Sequence, residues 1–205
     1  MSLSEEPVFS TLQSKFVCGW KNNAGESYCG VSGRYDPDNG AAWTTNGAGP
    51  HNVQLFVLAA DGTVLHCLPG YWEKGDLAGE LAFAQELNRV WTDPSLPRAE
   101  KDRRFRDMHL DHLKRHSAEM VARSRMQGFD QKFEQRRAET SDCIVREASP
   151  RGRESVQVKT TDRVMHERMA QRPFVAYEKF DVEKYTDYGR PKYDKQYVLF
   201  TSAQK

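Results

Sequence analysis

The sequence predicts an α/β protein, with a small mixed core followed by a long helical and then extended C-terminal region. Three observations carry this. Residues 47–72, GAGPHNVQLFVLAADGTVLHCLPGYW, read as a proline-led loop, a strand, an Asp-Gly turn and a returning strand. Directly after them Leu77, Leu81, Ala84 and Trp91 recur at helical spacing. The charge then changes sign along the 205-residue chain: residues 1–92 hold 5 Lys+Arg against 10 Asp+Glu, and residues 93–205 hold 25 against 19. An acidic compact part and a basic polar part are physically different. The expected organisation is a core over 1–92, a charged helical extension over 93–149 and an extended, aromatic-rich arm over 150–205.

Taken in order, Ser4 can cap a short helix, with Glu5 and Glu6 at its positive end and an apolar stripe of Val8, Phe9, Leu12 and Phe16. Residues 16–21 form a short apolar run that reads as a buried strand. Residues 22–49 are rich in Gly, Asn, Asp, Ser and Thr, with turn signals at Asp36–Gly40 and Asn46-Gly47. Val53–Leu58 and Thr63–Leu68 are the two strands of the hairpin. Asp76 is expected to cap the helix that carries Leu77 to Trp91.

Pro94 and Pro97 disfavour helix in the residues before them and mark a boundary. From Arg98 to Glu139 a long charged helix is expected, broken near Gly128. Ser149–Arg153 is linker-like, and a short helix runs from Thr160 or Thr161 to Met169. The remaining aromatics, among them Tyr177, Phe180, Tyr185, Tyr193 and Tyr197, follow no fixed period. They are expected to lie extended over another surface.

The succession helix, strand 16–21, long loop, hairpin and helix over about residues 5–91 resembles a thioredoxin-like domain. The motifs behind the likeness are Gly47-Ala48-Gly49-Pro50 and Asp61-Gly62 followed by Gly70-Tyr71. Two features depart from that family. No two cysteines have the C-x-x-C spacing, and the family's first strand would lie upstream of Pro7, so the core would be a minimal one. The resemblance implies a binding edge where Trp20, Asn22 and Asn23 meet Pro50, His51, Gly70, Tyr71 and Trp72, with Cys29 leaving from the same edge.

Of the four cysteines, Cys18 and Cys67 fall in expected strands and read as small buried hydrophobes. Cys29, in a loop, is the candidate nucleophile, and Cys143 is expected to be exposed or covered by the tail. His109, His112 and His116 stand three and four residues apart, on one helix face. Neutral imidazoles so placed can bind a transition metal, although the bland alternative is an interfacial helix face, and no acidic ligand shares the stripe.

Nucleotide and hydrolase motifs are absent, and so is an 18-residue apolar run. Acidic residues among the tail aromatics oppose nucleic-acid binding. The functional expectation is a non-catalytic binding or assembly protein with a protein partner or self-association, no membrane partner and no required cofactor. Alternatives are a thiol oxidoreductase or peroxidase-like enzyme acting through Cys29, and a transition-metal protein acting through the histidine stripe. The expected compartment is the cytoplasm, or the periplasm or exterior if an N-terminal segment has been removed.

Overall fold

A computed structural model describes residues 2–30, 44–148 and 154–189. The turn at Asp36–Gly40, the linker Ser149–Arg153 and the tail aromatics Tyr193 and Tyr197 lie outside the described residues. Helix α1 spans Val8–Lys15, and the hairpin pairs β1, Gln54–Leu58, with β2, Val64–Pro69, in antiparallel register. Leu55 faces Leu68 and Val57 faces His66, with an irregularity after Val57. Gly62 closes the turn at φ +82°. The Asp61 carboxylate fixes the turn by accepting from the Thr63 N–H and from the Trp91 indole. Every residue of β2 is buried.

Helix α2, Lys74–Thr92, packs on this strand. Its N-cap is Glu73, whose carboxylate accepts from the N–H groups of Gly75 and Asp76. Asp76 lies in the first turn instead of capping it, and is held by a two-pronged contact with Arg123. Leu77, Leu81, Ala84 and Leu87 are buried at helical spacing, and Glu80 and Phe83 share that buried side. Helix α3, Arg98–Lys114, packs against α2 and presents Phe105 and His109 to the core.

The charged region breaks near Gly128, as expected, and also once earlier. Helix α3 stops with Arg115 as its C-cap, Ser117 caps α4, Ala118–Arg123, and after residues 124–127 Gly128 begins α5, Gly128–Arg136. A second antiparallel hairpin pairs β3, Ile144–Ala148, with β4, Glu154–Val158.

Helix α6, Thr161–Ala170, is almost wholly buried and packs on α3 and β2. The Thr161 hydroxyl lies within hydrogen-bond distance of the Asn46 carbonyl at 2.5 Å and the Ser124 carbonyl at 3.0 Å, so the helix starts at a fixed point. The short helix expected from Thr160 or Thr161 to Met169 is thus formed, while the remainder, expected to be extended, holds a 3₁₀ turn at Tyr177–Lys179 and α7, Val182–Thr186. Its aromatics dock one by one. Phe56 meets Tyr177 and Phe180 edge-on, and the Tyr185 hydroxyl donates to the Cys67 carbonyl at 2.9 Å. Arg168 ties this return together by donating to the Asp142 carboxylate and to the carbonyls of Tyr185 and Asp187.

One expected element is not formed. Residues 16–20 are not a strand, and Val17, Cys18 and Trp20 are exposed. An apolar run becomes a strand only where a neighbouring strand satisfies its backbone, and none adjoins it among the described residues. The mixed α/β character is present as helices with two small antiparallel sheets. Among the described residues, no helix is long and apolar enough to cross a membrane.

Candidate metal centre

Five of the six histidines gather where α2, α3 and α6 cross over β2. Glu80 is central, although it stands on the apolar stripe of α2, three residues after Leu77 and four before Ala84, and is fully buried. Its Oε1 lies 3.3 Å from His166 Nε2, 3.3 Å from His116 Nε2 and 3.5 Å from His112 Nε2. These four donor atoms lie within 4.8 Å of one another and can hold a metal ion.

Local structure explains the convergence. His112 lies in the last turn of α3, and His116 follows in the turn that stops that helix before Ser117. Phe83 stacks on the His112 ring at 4.1 Å, with planes 12° apart, and fixes its tilt. Asp162 and His166 stand one turn apart on α6, on the same face. Asp162 accepts from His116 Nδ1 at 2.8 Å, which directs Nε2 of that ring toward Glu80. The His116 side chain is only 4% exposed, yet its Nε2 makes no hydrogen bond. A buried ring nitrogen 3.3 Å from a carboxylate oxygen but out of line for a hydrogen bond is compatible with an ion shared between them.

The electrostatics agree. Burial alone would raise the Glu80 carboxyl, but the facing imidazoles, His166 first, outweigh it and hold the group well below the usual carboxylate range. Burial pushes His166 down to about 4 and His109 well below the ordinary histidine value. His116 resists its own burial through Asp162 and Glu80 and is held up to about 9. The cluster therefore carries a buried negative charge that a cation, either a proton on His116 or a metal ion, must balance.

Of the histidines expected to ligate, His112 and His116 are in the donor set and His109 is not. His109 belongs to the same stripe but points deeper, with its Nδ1 2.9 Å from His166 Nδ1. No acidic residue shares the α3 stripe itself; the carboxylate of the set, Glu80, arrives from another helix. A carboxylate within an apolar helical stripe was the available signal for it. His166 had no such signal, because it stands 86 residues from Glu80.

The expected binding edge is divided. The proline loop does meet the end of β2: Gly47 donates to the Tyr71 carbonyl, Tyr71 to that of Ala48 and Gly70 to that of Val53. Gly70 is required there, since a Cβ would lie 2.4 Å from the Ala48 oxygen. Asn23 reaches Gln54, His51 Nδ1 faces the Tyr28 carbonyl, and Pro50 accepts from the Gln54 amide. The Asn22 side chain instead bonds locally to the Ala24 N–H, Trp20 is exposed, and Trp72 is buried with its indole on the Pro69 carbonyl.

Cys29 is half-buried, with its sulfur near the Asn23 side-chain oxygen and the Gly30 carbonyl. Cys67 is buried as expected. Cys18 is exposed, contrary to expectation, whereas Cys143 is buried in a cluster with Tyr188 of the tail, the second of its two expected placements. Burial lifts the Cys67 thiol well above its ordinary value and the Cys143 thiol to about 12. No protein-family model, no curated protein and no solved structure matches this chain.

Proposed function

We propose that this chain is a transition-metal-binding protein whose ion is held by Glu80, His112, His116 and His166. The convergence of these four donor atoms at the crossing of three helices carries the reading. Three imidazoles and one carboxylate are the donor set of zinc, cobalt, nickel, copper and iron, not of magnesium or calcium. All four positions come from protein side chains that are buried or nearly so. That is the pattern of a closed, structural site rather than one with an open reactive position. The ion's work would be mechanical: it joins α2 and α3 to α6, and through Arg168 to the C-terminal return. A thiol-based activity has less support, because among the described residues the sulfur of Cys29 is held by oxygen atoms of Asn23 and Gly30.

Equilibrium dialysis of the full chain against zinc tests this, with metal analysis and thermal unfolding alongside. One ion should bind per chain. Zinc at about a thousand times its dissociation constant should stabilise the fold by about 4 kcal/mol. The Glu80→Gln and His116→Ala chains should lose both effects. Failure of the unaltered chain to bind zinc, cobalt, nickel, copper or iron stoichiometrically would overturn the proposal.

A further inference from the structure

We infer that His66 and His109, which are not metal-facing donors, are positioning residues that keep this centre four-coordinate, and so select a tetrahedral divalent ion such as zinc. The inference rests on the metal-binding reading above. It starts from the second oxygen of Glu80. Oε2 lies 2.8 Å from His66 Nε2, with both side chains wholly buried. An ionised carboxylate only accepts, so His66 must carry its proton on Nε2. Its Nδ1 is then bare, and it is buried without a hydrogen-bond partner. With Oε2 engaged, Glu80 offers the ion Oε1 alone.

His166 is set in the same manner. To give Nε2 to a metal it must hold its proton on Nδ1, and the group 2.9 Å away is Nδ1 of His109. His109 therefore accepts there and keeps its own proton on Nε2, which is also buried without a partner. Each of these inner histidines leaves one ring nitrogen unsatisfied in the core, a cost that packing alone would remove by substituting an apolar side chain. Asp162 does for His116 what His109 does for His166. Three of the four ligands thus have their outer atom tied within the protein, the arrangement that fixes tautomer and direction at metal sites.

The three spacings from Glu80 match four-coordination, and all four donor atoms lie within 4.8 Å of one another. Metal–ligand lengths of about 2.0–2.1 Å give tetrahedral edges of about 3.3–3.4 Å. Glu80 Oε1 stands 3.3, 3.3 and 3.5 Å from the three ring nitrogens. Release of Oε2 from His66 would let the carboxylate chelate and raise the coordination number. Magnesium, calcium and manganese, which favour more oxygen ligands than this set supplies, are disfavoured.

The test is cobalt(II) substitution of the full-length chain, read by its visible spectrum, together with X-ray absorption of the zinc form. The expected result is the intense ligand-field bands of four-coordinate cobalt, and three nitrogens with one monodentate carboxylate oxygen around zinc. His66→Leu should weaken and shift those bands, and His66→Gln, which keeps an N–H donor, should restore them. His109→Leu should lower zinc affinity about 10–100-fold. A weak six-coordinate spectrum or a chelating carboxylate in the unaltered protein would overturn the inference while leaving metal binding intact. So would leucine variants with unchanged spectra and affinity. X-ray absorption decides the matter even if the leucine variants do not fold. Absence of cobalt and zinc binding by the unaltered chain would overturn this inference and the metal-binding reading together.

Discussion

Asp162 accepts a hydrogen bond from Nδ1 of His116 at 2.8 Å, although the two residues stand 46 positions apart and on different elements. The bond leaves Nε2 of the ring on the Glu80 side, 3.3 Å from Oε1, so Asp162 would orient the proposed ligand His116 without being one. Asp162→Ala should lower zinc affinity about 10–100-fold, measured by competition with a chromophoric chelator. Unchanged affinity would mean that the ring is held by packing instead.

The centre depends on α2 lying firmly on the hairpin. Leu81 follows Glu80 directly, is 1% exposed and belongs to the main core cluster. Leu81→Ala should cost about 2–5 kcal/mol in urea unfolding. A loss well below 1 kcal/mol would show that the helix does not rely on that contact.

The thiols should divide into two classes. Cys18 is exposed and Cys29 half-buried, whereas Cys67 and Cys143 are buried with thiols raised by their burial. A thiol reagent should modify Cys18 readily and Cys29 more slowly in the folded protein, and reach the other pair only after denaturation. Mass mapping of the modified peptides checks this, and early labelling of Cys67 would contradict the packing of β2.

Asp142 and Arg168 give the fold a pH dependence. Burial pushes the Asp142 carboxyl up, but the Arg168 guanidinium beside it prevails and holds it below its ordinary value. A carboxylate depressed in the folded state stabilises fully above its unfolded pKa of about 3.9, and the gain is lost as pH falls through the lower folded value. Asp142→Asn should therefore cost stability at neutral pH and little at the acid end. The loss should be about 1–2 kcal/mol, kept modest because the carboxylate is 56% exposed. Denaturant midpoints of both chains across that range check the convergence.

What could be read from the sequence was local. The β1–β2 hairpin and α2 were legible because Asp61-Gly62 and the spacing of Leu77, Leu81 and Ala84 express their periods within a few residues. The α3 stripe of His109, His112 and His116 was legible in the same way. Residues 16–20 misled because a short apolar run has no period to separate strand from coil, and no neighbouring strand was there to pair with them. The tail misled in the other direction. Tyr177, Phe180 and Tyr185 have no stripe because each fills its own niche on the hairpin or α6. Glu80 and His166 could not be joined on paper, since only the packing of α6 between β2 and α3 brings them together.

That long-range assembly bears on how the chain folds. A centre drawing one donor from α2, two from α3 and its end, and one from α6 does not exist until the hairpin, both helices and the returning segment are in place. Loop closure over 86 residues would have to precede the last bond to the proposed ion. An ion so held cannot guide the early steps of folding. The proposed ion's effect would fall on the reverse reaction, as a latch that slows the first separation of α6 from the core while leaving the speed of folding nearly unchanged.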